Sequence, residues 1–249
     1  NGDSQSLDGQ KATLVILDIG TRMRYCAPLG GRSEEATAQA ILDFKGAATI
    51  KSLSSDNAPE IRAACRRLNI VNPTSTPYVS NTNGVVERAI RHVEESTRSI
   101  LVKAGLPPSC WPWAAVYFSN ACNLTLPHEG VLPYERAHLK PCGAQLIPFG
   151  AAIEFLLHGP EKAAAGKFAP ALTPGIFVGW AMDPGMLWKG GYLAVPLSDF
   201  ALSAGGDAAS DANHPARRQR IVPRRIKDIV VPEGPRVFPL WDSYVKQRF

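Results

Sequence analysis

Apolar and polar positions alternate in blocks that change character halfway along the chain. "ATLVILDI" (12–19) is an apolar run of strand length, and "RMRYCAPL" (22–29) alternates. Gly20 and Thr21 lie between them, so the pair predicts a tight hairpin. "SEEATAQAILDFKG" (33–46) has Ala36, Ala40, Ile41 and Phe44 at helical spacing. Ser33 is a natural N-cap for that helix and Gly46 a natural stop. "ATIKSL" (48–53) reads as a third strand. "PEIRAACRRLNI" then reads as a helix with Ile61, Ala64, Cys65 and Leu68 on one face, and "NIV" as the start of another short strand.

Residues 72–84, "NPTSTPYVSNTNG", show no period and many turn formers. A long helix follows from about Val85 to Ala104, striped by Val86, Ile90, Val93, Thr97, Ile100 and Leu101 and ended by Gly105. An aromatic-rich helix comes after Pro107 and Pro108. The order predicts a mixed α/β layer in which a hairpin precedes a crossover unit. Beyond it, 146–157, 175–181 and 190–197 are short β-like runs split by Gly and Pro, which predict a small all-β module. Residues 201–216 are small and polar, as a linker would be.

Charge sharpens this division. The chain has 249 residues, 45% of them hydrophobic, with a net charge of +5. Residues 216–249 hold nine Lys/Arg against three Asp/Glu, a net of +6, so the rest carries −1. The basicity belongs to the tail, where "RRQRIVPRRIK" fits phosphate contacts or nuclear import as well as a solvated segment. No apolar run approaches the roughly 18 residues of a membrane span. The chain opens at Asn1 without Met or a signal-like segment, as a piece of something longer would. Its five cysteines form no CxxC pair, and its five histidines no HxxxH spacing. That speaks against zinc or disulfide frameworks and fits a reducing compartment.

Two carboxylates stand out by position. Asp56, in "SSDNAPE", ends the third strand, where Asp and Asn also favour turns and helix caps. Asn57, beside it, reads as a cap for the helix that follows or as a support for the site, the cap being favoured. Glu87, in "NGVVER", opens the long helix, where the helix dipole alone would favour it. Each reading is ordinary by itself. Together with an acid near the chain start they change meaning, because carboxylates from three elements repel unless hard cations hold them.

The pair "SDNAPE" and "TPYVSNTNGVVER" resembles the catalytic core of retroviral-type integrases, in particular copia-type retrotransposon integrases, with their "SDNGGEF" and "PYTPQQNGVAER". "LVILDIGTRMRYCAPLGGRSEEA" resembles the family's second and third strands and next helix. "LPPSCWPWAAVYFSNACNLTLPHEGVLPYERAHLKP" resembles its Leu-Pro, Trp-helix and "TPYE" elements, and "PGIFVGW" the β-module after the core. The likeness covers about residues 1–200.

The resemblance implies an RNase H-like mixed five-stranded sheet with flanking helices over 1–143. It also implies a small SH3-like β-module over 144–200, a linker over 201–216 and a basic tail over 217–249. It implies a metal triad of Asp3, Asp56 and Glu87 binding two Mg²⁺ or Mn²⁺. Asp18 falls at the family's later, non-catalytic acidic position. Asn83, Arg88 and Arg91 would touch DNA, as would Arg217, Arg218 and Arg220 of the tail. The implied activity is metal-dependent cutting and joining of DNA strands, as a polynucleotidyl transferase and nuclease. The implied partners are element ends and target DNA, a second copy of the chain and other parts of a Pol polyprotein. The implied places are synthesis in the cytoplasm and action in the nucleus, with no membrane.

The chain departs from the family pattern in places. Ala58 replaces a Gly, Ser80-Asn81 replaces Pro-Gln, the Asp56–Glu87 interval is shorter, and no zinc-binding module precedes the core. These departures keep three other readings open: a degenerate or domesticated remnant that binds DNA without catalysis, a nuclease for RNA–DNA hybrids, and a structural α/β protein.

Overall fold

The computed structural model describes residues 6–55, 58–73, 80–156, 171–204, 221–241 and 245. The fold is mixed α/β. Its first half is a hairpin between helical layers. β1 (Ala12–Leu17) and β2 (Arg24–Leu29) pair antiparallel in continuous register, from Ala12↔Leu29 to Leu17↔Arg24. Alternation assigns the faces. The opposed pairs Leu14↔Ala27 and Ile16↔Tyr25 point towards α1 (Glu34–Lys45), with Tyr25 stacked on Phe44 at 5.8 Å. Cys26 points the other way, into a cluster with Val93 of α3 (Ser80–Ala104) and Ala115 of α4 (Trp111–Thr125). The hairpin is thus packed against helices on both faces.

The hairpin loop is wider than the two-residue turn that Gly20 and Thr21 predict. Asp18 N–H donates to Met23 O at 2.9 Å, and the positive φ falls on Arg22 at 65°. The Asp18 carboxylate explains the difference. It accepts from the N–H groups of Gly20 and Thr21 at 3.2 Å each, and from the Thr21 hydroxyl.

β2 is fixed at its start by a residue far along the chain. Asn123, 1% exposed in α4, accepts from Arg24 N–H at 2.8 Å and donates to Arg24 O at 2.7 Å. A side-chain amide here replaces a neighbouring strand. Asn123→Ala leaves both backbone groups unpaired in the interior, an expected loss of about 3 kcal/mol. Urea denaturation reads it as a lower midpoint at unchanged slope, with Asn123→Asp between the two.

α1 follows its sequence closely. Ser33 accepts from Ala36 N–H at 3.2 Å, and Gly46 closes the helix at φ 53°. Gly46 is required twice over. A Cβ there would lie 2.6 Å from the Gly185 backbone, where the turn at Pro184 and Gly185 docks through Gly185 N–H on Asp43 O at 2.7 Å. α2 (Pro59–Arg67) packs Ala64 against Ala38 and Ile41 of α1, together with Ile50 and Leu53.

Around α2 the expected strands shrink to one contact. "ATIKSL" and "NIV" meet only at a parallel bridge, Ser52↔Val71. With the β1–β2 hairpin, this bridge is what the described residues show of the mixed sheet expected over 1–143. The first strand expected around Asp3 lies outside them.

The five-stranded sheet belongs to the second half and is wholly antiparallel, in the order β6-β5-β4-β3-β7. Its strands are β3 (Ala152–Leu156), β4 (Leu172–Asp183), β5 (Leu187–Pro196), β6 (Arg224–Ile226) and β7 (Ile229–Val230). Two helices accompany these elements, α5 (Pro133–His138) and α6 (Leu197–Ala204). The two outer strands come from the segment read as a basic tail. Only Lys227 and Asp228 separate them, yet β6 pairs with β5 (Ile226↔Tyr192) and β7 with β3 (Ile229↔Phe155). In a flat sheet those edges would stand about 19 Å apart, four strand spacings. Three residues span about 10 Å. The sheet therefore curls so that its edges approach each other.

The two halves share one core. Met23, Leu124 and Tyr134 cluster with Ile147, Phe155, Phe177, Trp180 and Tyr192. No helix among the described residues is long and apolar enough to cross a membrane.

Candidate active site

The candidate site begins at the Ser52↔Val71 bridge. Leu53 N–H donates to Val71 O at 2.9 Å. Asn72 adds a side-chain clamp, with Nδ2 donating to Leu53 O at 2.7 Å and to Ser55 Oγ at 3.2 Å. The backbone that leads into Asp56 is thus tied to the strand that returns from α2. No local signal marks Asn72, because its partners lie across the crossover. Asp56 and Asn57 lie outside the described residues. α2 has Ala58 at its N-cap, with no side-chain hydrogen bond, and Pro59 at N1. The N-cap position itself is thus held by a residue whose side chain cannot accept, and the capping role read for Asn57 lies outside the described residues.

α3 carries the second part of the site. It starts at Ser80, earlier than the expected Val85, so Glu87 stands two turns inside the helix and the first turn holds no acid. This corrects the first-turn placement and removes the dipole explanation for Glu87, since that effect fades beyond the terminal turn. Glu87, Arg88 and Arg91 are all exposed. Glu87 forms no ion pair with a described residue, and Arg88 folds back so that Nε donates to Gly84 O at 3.0 Å. Arg91 follows Glu87 by four residues, on the same face. Asn83 belongs to the same helix, one turn before Glu87. The buried stripe runs through Ala89, Val93, Thr97, Leu101 and Ala104 and leaves Ile90 exposed.

Asp3, Arg217, Arg218 and Arg220 lie outside the described residues. Among the described residues no group of three His, Cys, Asp or Glu side chains could hold a metal ion. The donor set read from the sequence is three carboxylates, the hard oxygen chemistry that Mg²⁺ and Mn²⁺ take. The described member, Glu87, forms no ion pair with a described residue. The Asp18 carboxylate is engaged by its own turn.

The cysteines are a different chemistry and stay outside the site. All five are free thiols. Burial pushes Cys26 and Cys110 up to about 12, so neither is a thiolate at neutral pH. Trp111 and Trp113 pack at the margin of the cluster around Leu101, Leu106 and Val178.

No family model matches the chain. It is 29% identical over 125 residues to the retrovirus-related Pol polyprotein from transposon RE2 of Arabidopsis thaliana, an alignment covering 46% of this chain and 9% of that protein. It is 30% identical over 125 residues to the corresponding polyprotein from transposon RE1 of the same plant, covering 46% and 8%. The chain thus spans less than a tenth of the length of these curated relatives. Among solved structures, the catalytic core domain of BIV integrase superposes with a TM-score of 0.38 at 24% identity, over 49% of this chain and 81% of that one. A simian T-cell lymphotropic virus intasome in complex with PP2A regulatory subunit B56 gamma gives 0.41 at 16%, over 72% and 64%. Neither superposition is close enough to argue from. The resemblance to retrotransposon proteins read from the paired motifs is supported by these alignments: about half of the chain is similar to a segment of retrovirus-related Pol polyproteins.

Proposed function

We propose that the chain is the catalytic core of a copia-type retrotransposon integrase, which cuts and joins DNA strands at phosphodiester bonds in the nucleus. The observation that carries the reading is Glu87, exposed on α3 and without an ion pair among the described residues, in the same chain as a clamped strand end leading into Asp56. Asp3, Asp56 and Glu87 would hold two Mg²⁺ or Mn²⁺. When bound, such ions supply Lewis-acid activation of the attacking oxygen and stabilise the departing one.

The chain's own residues do the rest. Asn72 fixes the backbone ahead of Asp56. α3 presents Glu87 on a rigid element and sets Arg91 one turn further on for a DNA phosphate. Asn83 and Arg88 of the same helix would add contacts to DNA, as would Arg217, Arg218 and Arg220 of the basic segment. Phosphate contacts of this kind position DNA without reading its sequence. Integration of one DNA into another involves two element ends, so we assign a homo-oligomer as the working form and the rest of a Pol polyprotein as its neighbours.

The test is strand transfer on a short duplex with a recessed 3′ end. Joined product is expected with Mg²⁺ or Mn²⁺, and none after chelation. Folded protein that gives no product at millimolar levels of either ion overturns the reading.

A further inference from the structure

The start of β2 meets α3 through Arg24, a contact that no sequence motif announces. Arg24, the first residue of β2, reaches across 68 residues of sequence to α3, where its Nη1 lies 3.0 Å from His92 Nδ1. Arginine has only donors, so Nδ1 accepts in this contact. The same Nη1 lies 3.7 Å from Cys122 Sγ. Arg88 precedes His92 by one helical turn, which puts the two side chains side by side. Arg22 sits at the hairpin loop and Arg91 on the next position of α3.

None of these four arginines forms an ion pair with a described residue, although Glu87 and Glu95 stand on the same helix. No described residue accepts from Arg24 Nε or Nη2. The side chain is also not needed to pin β2, because Asn123 holds both backbone groups of Arg24 directly. Among the described residues, what is left is a guanidinium oriented by the His92 ring, with a donor edge that no described residue occupies and no described counter-charge. That edge matches the oxygens of a phosphodiester.

We infer that Arg24 is a phosphate contact for duplex DNA, oriented by His92, and that the DNA surface runs from α3 across the hairpin tip. The inference rests on the reading of the chain as a DNA-acting protein. It adds a contact from an element that the motifs leave out.

The experiment is binding of a fluorescein-labelled 20-base-pair duplex by anisotropy, across a salt series, with the full chain. Neutralising one phosphate contact lowers the slope of log K against log salt by about one. Arg24→Gln keeps a donor for His92 and removes the charge. It is expected to lose about one unit of slope and to bind several-fold more weakly at low salt. Arg24→Lys is expected to keep the slope, and His92→Ala to weaken binding at unchanged slope, since the charge stays but its orientation is lost.

A slope and affinity for Arg24→Gln equal to the parent's overturn the inference. So does a parent chain that does not bind duplex at all. Thermal melting of each variant separates lost contact from lost fold, and should Arg24→Gln not fold, the Arg24→Lys and His92→Ala pair decides. Strand transfer is scored separately. Product with an unchanged Arg24→Gln slope sinks the contact alone, while absent product with a reduced slope sinks the catalytic reading alone.

Discussion

Glu87→Gln is expected to abolish strand transfer, by about 10³-fold or more, while leaving the fold intact. The substitution is isosteric and removes only the charge that a hard cation needs. Glu87 is exposed on α3 and pairs with no described cation, so its loss should stay within about 0.5 kcal/mol of parental stability, as for other surface positions. Catalytic groups that act as one unit are strongly non-additive. Asp56→Asn should therefore fall as far as Glu87→Gln, and the double variant no further. Glu94→Gln, on the next turns of the same helix, is the control and should keep its activity. Single-turnover assays at fixed Mn²⁺ read the rates, and Mn²⁺ titration calorimetry reads the ion directly. A Glu87→Gln protein with a tenth of parental activity would remove Glu87 from the chemistry.

The largest stability effect is expected at Trp180. Its side chain is 2% exposed, its Nε1 donates to Gln145 O at 3.0 Å, and its ring stacks on Tyr117 of α4 at 5.1 Å. Tyr117 in turn donates through its hydroxyl to Ile147 O at 3.2 Å. The indole thus joins the helical half to the β-module. Trp180→Ala should cost about 4 kcal/mol through the cavity and the lost transfer energy, and Trp180→Phe less. Because the cluster crosses both halves, far- and near-ultraviolet circular dichroism should move together in guanidinium. Two separate transitions would show that the halves fold independently and would refute the shared core.

Features encoded by neighbours in sequence were legible before the structure. α1 ran from its Ser33 cap to its Gly46 stop because both signals are chemical and local. The β1–β2 pairing, the crossover helix and α4 were visible for the same reason. The paired motifs link Asp56 to Glu87, a reading no local preference gives; of the two, Glu87 falls within the described residues.

What was missed depended on distance or on competition between weak terms. α3 begins at Ser80 although Ser, Asn, Thr and Gly disfavour helices. Each costs only some tenths of a kcal/mol, about 1 for Gly84, and extending an existing helix needs no new nucleus. The roles of Arg24 and Asn123 arise from contacts 68 and 99 residues apart in sequence. β6 and β7 were hidden because strands of three and two residues leave no periodicity, and the charges of "PRRIKD" dominate that stretch.

The way the sheet is finished sets an order on its biosynthesis. A ribosome makes β3, β4 and β5 first, and both outer places wait for residues 224–230. At about 5–20 residues per second, the nascent meander stands for a few seconds with unpaired N–H and C=O groups along two sides, a template for a neighbouring chain. One short stretch then covers both sides almost at once. A message truncated just before Arg224 would yield a polypeptide with its hairpins complete and neither flank guarded, and such a product should precipitate rather than accumulate as a shortened soluble form.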